Sequence, residues 1–344
     1  MKENKRFQAI VELGVYLRNQ LDPNRSNTWD PELTEASTKA NHSNSWFTTD
    51  QVAYSLQSWG NLLTEENLEQ WLNPYDFSVK DPKTILLIVA GNIPLVGLHD
   101  LLVCYISGHN TLVKFSSSDA HLLPFLVKKL HEFNPKDHSS VNFTEELVKN
   151  YDAVIATGSD NTARYFEHYF SKKPHIIRKN RNSIAVISGH EGTDELKALG
   201  EDIFRYFGLG CRSVSKLYVP KNYDFDLIFK AIYPYRELIN FEKYSNNYDY
   251  NKAVYLMSEF KILDNGFLIL KEDESLSSPI GSLFYEYYDS KEELKKELNS
   301  RADEIQCIVA TNFTANQISF GQTQQPGLSD YADDIDTLKF VLSL

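Results

Sequence analysis

Cysteine is scarce in this chain: its 344 residues hold only Cys104, Cys211 and Cys307. They lie far apart and none sits in a Cys-x-x-Cys pair, which argues against a disulfide framework or a cysteine-rich zinc site. A reducing cytoplasm fits that usage. None of the nine histidines makes a His-Glu-x-x-His or other metal spacing, so no metal site is expected. Positive charge is short as well. Lys and Arg number 35 against 47 Asp and Glu, a formal net charge of −12. That speaks against nucleic acid as a partner, while a local basic pocket for a phosphate-bearing ligand stays open. No uninterrupted apolar run is long enough for a membrane span. The closest, Ile85 to Ile106, is broken by Asn92, Pro94, His99 and Asp100, and reads as a buried strand, a turn and a buried helix. The first residues, Met1 to Arg6, lead into an amphipathic stretch and not a signal core. Internal repeats and low-complexity tracts are absent.

What is present is an ordinary globular balance, 42% hydrophobic and 24% charged, in a length that suggests two domains. Residues 7–21 repeat apolar positions at helical spacing; residues 22–47 are polar and read as a surface loop. Thr49–Trp59 and Thr64–Trp71 read as helices opened by threonine caps and acids. A regular alternation follows. Strands are expected at Thr84–Ala90, Thr111–Phe115, Ala153–Ala156, His175–Ile177 and Ile184–Ile187, with helices at Leu95–Ser107 and Ser118–Phe133 and another opened by Thr157 to Asp160. Apolar strands alternating with helices mean a parallel sheet covered on both faces, which binds ligands at the carboxyl ends of its strands. Residues 193–207 form a helix, Ser215–Val219, Phe267–Leu270, Leu283–Tyr288 and Ile305–Thr311 strands, and Asp224–Ile232, 239–259 and Ser290–Leu298 helices. The fold class is α/β.

Four stretches could carry chemistry. Phe207-Gly208-Leu209-Gly210-Cys211-Arg212-Ser213 sets a cysteine past two glycines, where the chain can turn sharply and hold a thiol in the open. A thiolate attacks carbonyl carbon well, and Arg212 would favour the thiolate. The same residues also read as a buried small cysteine beside a helix-ending glycine. Gly91-Asn92-Ile93-Pro94 follows a strand, so Asn92 is either a ligand-facing amide or a turn asparagine. Lys114 ends a strand before Ser116 and Ser117, where it reaches a ribose or phosphate or is simply solvated. Thr157-Gly158-Ser159 joins a strand to a helix start that suits a phosphate, although it is neither Gly-x-Gly-x-x-Gly nor a Walker loop; Ser159 reads equally as a cap. Cys104 and Cys307 read as core. His99, His109 and His175 are candidate pocket neighbours among which the sequence does not choose.

Taken in order, these stretches resemble the aldehyde dehydrogenase superfamily and, within it, the acyl-CoA reductases of the LuxC type. Val89-Ala90-Gly91-Asn92-Ile93-Pro94 stands where such enzymes carry Pro-Trp-Asn-Phe-Pro. Gly108 to Lys114 is similar to their Gly-Asn-Thr-Val-Val-Leu-Lys strand, Ala156-Thr157-Gly158-Ser159 to their Phe-Thr-Gly-Ser turn, and Gly210-Cys211-Arg212-Ser213 to their nucleophile loop. The ending, Phe320-Gly321-Gln322 to Asp330-Tyr331-Ala332-Asp333, resembles the reductase branch. The resemblance runs from about Lys83 to the C-terminus; the first 80 residues carry no such motif.

The resemblance implies an aldehyde-dehydrogenase-like fold with a Rossmann-type parallel-sheet cofactor domain and an α/β catalytic domain. The first is expected over residues 1–185, with 320–344 free to pack back on it, and the second over 186–319. It implies reduction of an acyl thioester, a fatty acyl-CoA or another acyl carrier, to the aldehyde, with Cys211 as nucleophile. Asn92 and the Cys211 backbone N–H would hold the oxyanion, and Lys114, Ser116, Ser117, Thr157, Gly158 and Ser159 the cofactor. The alternatives are an inactive nucleotide-binding module of this fold and a cysteine-dependent thioester hydrolase. A homo-oligomer stays open. Two departures stand out. The water-activating glutamate of hydrolytic members has no counterpart in Arg178-Lys179-Asn180-Arg181-Asn182-Ser183, and their Glu-x-Phe-Gly-Pro run is replaced near Ser277-Ser278-Pro279-Ile280-Gly281. The ribose-binding glutamate of NAD-preferring relatives, three residues after the strand-end lysine, is Ser117 here. NADPH is therefore expected, with NADH as the alternative.

Overall fold

The apolar runs of the chain become buried parallel strands. A computed structural model describes residues 3–20, 29–77, 81–146, 148–158 and 160–344. The chain divides into two units, Met1–Lys179 with Gly327–Leu344, and Asn180–Pro326.

The first unit begins with four helices, α1 (Lys5–Gln20), α2 (Pro31–Ser43), α3 (Thr49–Leu62) and α4 (Glu65–Leu72). Phe7, Ile10, Leu13 and Leu17 give α1 one buried apolar stripe. Each such side chain contributes about 1.5–3 kcal/mol when fully buried. Gly14 lets α1 approach closely, because a Cβ there would lie 2.0 Å from the Leu63 carbonyl oxygen. Helix α2 corrects the reading of residues 22–47 as loop over Pro31–Ser43; residues 22–28 of that stretch lie outside the described residues. The Asp30 side chain accepts from Glu32 N, Pro31 opens the helix, and Leu33, Ala36 and Ala40 are buried on one face. Two of those three positions are alanines and all are set among polar residues, which hides their spacing.

The rest of the unit alternates: β1 (Thr84–Ile88), α5 (Leu98–Ser107), β2 (Asn110–Lys114), α6 (Leu122–Phe133), β3 (Val141–Thr144), β4 (Ala153–Thr157), α7 (Asp160–Phe170) and β5 (His175–Arg178). The strands form one parallel sheet in the order β3-β2-β1-β4-β5, with Ile85 beside Thr111 on one side and Ala153 on the other. The chain winds outward in both directions from β1, so the switch point lies between β1 and β4. Strand β3, at the sheet edge, is too short and polar to stand out in the sequence. Helix α5 starts at Leu98 and not at Leu95, whose φ of 60° is left-handed.

In the second unit, strands β6 (Asn182–Val186), β7 (Val214–Pro220), β8 (Ile262–Asp264), β9 (Ile269–Glu272), β10 (Ser282–Tyr288) and β11 (Ile305–Val309) form a sheet ordered β11-β6-β7-β10-β9-β8. All pairs are parallel except β8 with β9. Helices α8 (Thr193–Phe204), α9 (Asp226–Ala231), α10 (Glu242–Met257) and α11 (Lys291–Ser300) connect them. The sequence boundary at 185/186 shifts to 179/180, because β6 pairs with β7 and β11.

The chain then returns to the first unit with α12 (Thr337–Leu342), whose Leu338 and Val341 enter the same core as Leu98 and Leu101. Buried polar contacts hold it there. Arg178 donates to both carboxylate oxygens of Asp100 and to Thr337 Oγ1 at 2.8 Å. Trp71 Nε1 donates to Tyr331 Oη at 2.8 Å, and Tyr75 Oη to Asp336 at 2.9 Å. No helix among the described residues is long and apolar enough to cross a membrane.

Candidate active site

Cys211 is an exposed thiol, whereas Cys104 and Cys307 are buried. The backbone explains the difference. Helix α8 stops at Phe204, three residues short of the expected 207, and the next residues turn left-handed: Tyr206 at φ 54°, Phe207 at 57° and Gly208 at 77°. Glycine accepts that geometry freely, but each aromatic residue held there costs about 1–3 kcal/mol. Packing offsets the strain. Tyr206 and Phe207 are buried, and Phe207 stacks on Phe241 at 4.8 Å between ring centroids. Past this kink a turn closes, with Ser213 N donating to Gly210 O at 3.0 Å, and lifts Cys211 to the surface. Ser183 Oγ donates to the Cys211 carbonyl at 2.9 Å.

A second layer lies beneath the loop and was not anticipated. Asp202 is fully buried and accepts from Gly321 N at 2.6 Å, Thr323 N at 3.0 Å and Thr323 Oγ1 at 2.8 Å. Burial pushes its carboxyl above the usual range, opposed by those donors. Arg212 Nε, expected to lend charge to the thiol, donates to the Thr323 carbonyl at 2.6 Å, and Gln324 Nε2 reaches Ser213 Oγ at 3.3 Å. The turn-rich segment 321–324 is thus stapled to the cysteine loop. A signal was available: Leu196, Leu199, Asp202 and Ile203 share the buried face of α8, and an acid on an apolar face needs partners.

In the first unit, Asn92 is exposed in the turn after β1. Lys114 ends β2, its Nζ donating to Glu145 O at 2.6 Å. Ser116 Oγ caps the short turn Ser117–Asp119 by accepting from Ser118 N at 3.3 Å, and Ser117 is exposed. Thr157 ends β4, and Gly158 N donates to Arg178 O at 3.3 Å. Ser159 lies outside the described residues. The fold therefore brings Asn92, Lys114, Ser116, Ser117, Thr157 and Gly158 to the carboxyl edge of one sheet, where β1 and β4 diverge.

Two candidate histidines are bonded to the C-terminal segment, His109 buried and His99 half-buried. His109 Nδ1 accepts from Lys83 N at 2.9 Å, so its Nε2 donates to Val341 O at 3.0 Å. His99 Nε2 donates to Leu328 O at 2.9 Å within a cluster of Trp59, Trp71 and Tyr331. Burial pushes both imidazoles below the usual range. His175 is exposed and contacts Lys173 O. No group of acids, histidines and cysteines that could hold a metal occurs among the described residues.

Comparison with known proteins bears on the fold and the family. The chain is similar in fold to a mutant indole-3-acetaldehyde dehydrogenase of P. syringae solved with NAD+, with a TM-score of 0.65 and 14% identity over 91% of this chain and 72% of that one. An NAD-dependent aldehyde dehydrogenase of Sinorhizobium meliloti gives a TM-score of 0.65 at 12% identity, over 94% of this chain and 72% of that one. A long-chain acyl-protein thioester reductase of Aliivibrio fischeri is 26% identical over 229 residues, 60% of this chain and 47% of the relative, so the matched part spans about half of that protein. The family model of acyl-CoA reductase (LuxC) matches residues 27–227, reaching back into the N-terminal helices where no motif was legible and forward past Cys211. With an aldehyde-dehydrogenase-like fold and more than half of its length matched, this chain belongs to the acyl-CoA reductase (LuxC) family.

Proposed function

We propose that the protein reduces an acyl thioester to the aldehyde through an acyl-enzyme on Cys211. The observation that carries this reading is the exposed thiol at the apex of a strained, stapled loop, in a chain of this family. The Cys211 thiolate attacks the thioester carbonyl, the carrier thiol leaves, and the acyl group remains on Sγ. The family resemblance gives Asn92 and the Cys211 N–H as oxyanion donors. Hydroxyls and an ammonium at the carboxyl edge of a doubly wound sheet suit a dinucleotide, so Lys114, Ser116, Ser117, Thr157 and Gly158 would hold one, and the family resemblance adds Ser159. A reduced nicotinamide, when bound, supplies hydride. The segment Arg178–Ser183 has no carboxylate to activate water, which favours an acyl-enzyme that survives. A single-turnover assay tests the whole reading: acyl-CoA alone should label Cys211 stoichiometrically, and cofactor should then release aldehyde. Rapid release of free fatty acid without cofactor indicates a hydrolase, and no labelling indicates a binding module.

Asn92→Ala is expected to slow turnover about 100- to 1000-fold with cofactor affinity kept, as for loss of one oxyanion donor. A loss of about threefold or less removes Asn92 from this role.

NADPH is the expected cofactor. Ser117 offers a hydroxyl where a glutamate would repel a 2′-phosphate, and Lys114 adds charge. Unit charges about 4 Å apart interact by roughly 1–4 kcal/mol between bulk and surface dielectric, an order of magnitude or more in preference. The check is kcat/KM with each cofactor. A value with NADH equal or better refutes the expectation, and Ser117→Glu should move any NADPH preference toward NADH.

A further inference from the structure

The N-terminal helices touch the Asn92 turn at its backbone. Asn44, which caps the C-terminus of α2, donates from Nδ2 to the Gly91 carbonyl at 3.1 Å. Its amide orientation is set by its other end, because Oδ1 accepts from Trp46 N at 3.2 Å. Ser55, inside α3 and only 2% exposed, donates to the Pro94 carbonyl at 3.1 Å. A buried helical serine ordinarily bonds back along its own helix, so this outward bond is specific to the turn. Asp119 accepts from Leu95 N at 3.2 Å. It is 3% exposed, and the Leu122 backbone N–H also bears on its carboxyl. Leu95 itself is held at φ 60° with its side chain buried, a conformation that a non-glycine residue keeps only when its surroundings impose it. Within this arrangement Asn92 alone of residues 91–95 is exposed.

We infer that Asn44, Ser55 and Asp119 are positioning residues that clamp the turn 91–95 and so aim the Asn92 amide. This gives the N-terminal helical segment a part in the chemistry, beyond covering the sheet. It rests on the reading of Asn92 as an oxyanion donor. The physical case is that side chains from three elements hold the Gly91 carbonyl and both the carbonyl and the N–H of the Pro94–Leu95 peptide in a strained turn, while the Asn92 side chain is exposed. Positioning of this kind matters because a displacement of about 1 Å at a reacting group costs about 100-fold in rate.

The test compares two reactions of Cys211 in the full chain. Acylation by palmitoyl-CoA builds an oxyanion; alkylation by iodoacetamide does not. Asn44→Ala and Ser55→Ala are each expected to slow acylation about tenfold, as for one lost buried hydrogen bond, and to leave alkylation unchanged. Asp119→Ala should do the same, and Asp119→Asn should restore the rate, since an amide oxygen still accepts from Leu95 N. In an Asn92→Ala background Ser55→Ala should add nothing. Equal slowing of both reactions, or a further loss in that background, overturns the proposal. Hydrogen exchange of residues 91–97 separates its two parts. Exchange should quicken in Ser55→Ala and Asp119→Ala but not in Asn92→Ala. If it stays slow in the first two, the clamp fails whatever Asn92 does. If it quickens while Asn92→Ala acylates normally, the clamp holds the turn but the role of Asn92, and with it the catalytic part of the proposal, falls.

Discussion

Cys211→Ala is expected to abolish acyl-enzyme formation while leaving the fold and cofactor binding intact. Of three cysteines only Cys211 is exposed, and its neighbours reach the loop through backbone atoms: Ser183 Oγ holds the Cys211 carbonyl, and Ser213 N closes the turn on Gly210 O. Removing Sγ therefore leaves those two contacts in place. Intact mass spectrometry after exposure to acyl-CoA reads the first part, and thermal unfolding the second. Label on Cys104 or Cys307 would reassign the nucleophile. Both are poor candidates. Each is buried, and burial pushes the Cys104 thiol far above its ordinary value, so it stays protonated and unreactive.

Asp100→Ala should be the most damaging substitution away from the cysteine loop. Asp100 and Arg178 are 6% and 4% exposed, and Arg178 donates to both Asp100 oxygens and to Thr337. Three elements, α5, β5 and α12, meet there. Truncating Asp100 leaves the guanidinium buried without its carboxylate, at a cost of about 3–5 kcal/mol. For a unit of this size that lowers the melting temperature by roughly 10 °C. Asp100→Leu combined with Arg178→Met removes both charges and should cost much less. A single variant as stable as the wild type would show that the pair contributes nothing. The pair also sets a pH response. Burial alone would raise the Asp100 carboxyl, but the Arg178 charge and hydrogen bonds pull it below its ordinary range. With the folded value depressed, this stabilisation is present above the unfolded carboxylate range and is lost as pH falls through the folded value. Wild-type stability should therefore fall on acidification more steeply than that of the doubly apolar variant.

Much of the first sheet was legible because β1 and β4 are apolar on both faces and β1, β2 and β4 run on into glycine or serine. The positions of β1, β2, β4 and β5 along the chain, the glycine-flanked cysteine and the strand-end lysine follow from local pattern; edge strand β3, the order of strands in the sheet and the exposure of Cys211 do not. Local chemistry sets the former: which backbone angles glycine permits, and which residues a doubly covered strand requires. Other features required contacts distant in sequence. Helix α2 was hidden by its polar composition and is stabilised by the core that Leu33, Ala36 and Ala40 enter. His99 and His109 read as pocket candidates from the sequence, and it is the returning C-terminal segment that supplies the Leu328 and Val341 carbonyls they bond. Asp202 gains meaning only from Gly321 and Thr323, and Ser55 only from Pro94. A buried polar side chain is stable only when paired, and its partner is chosen by where the fold brings the backbone, which no local window of sequence contains.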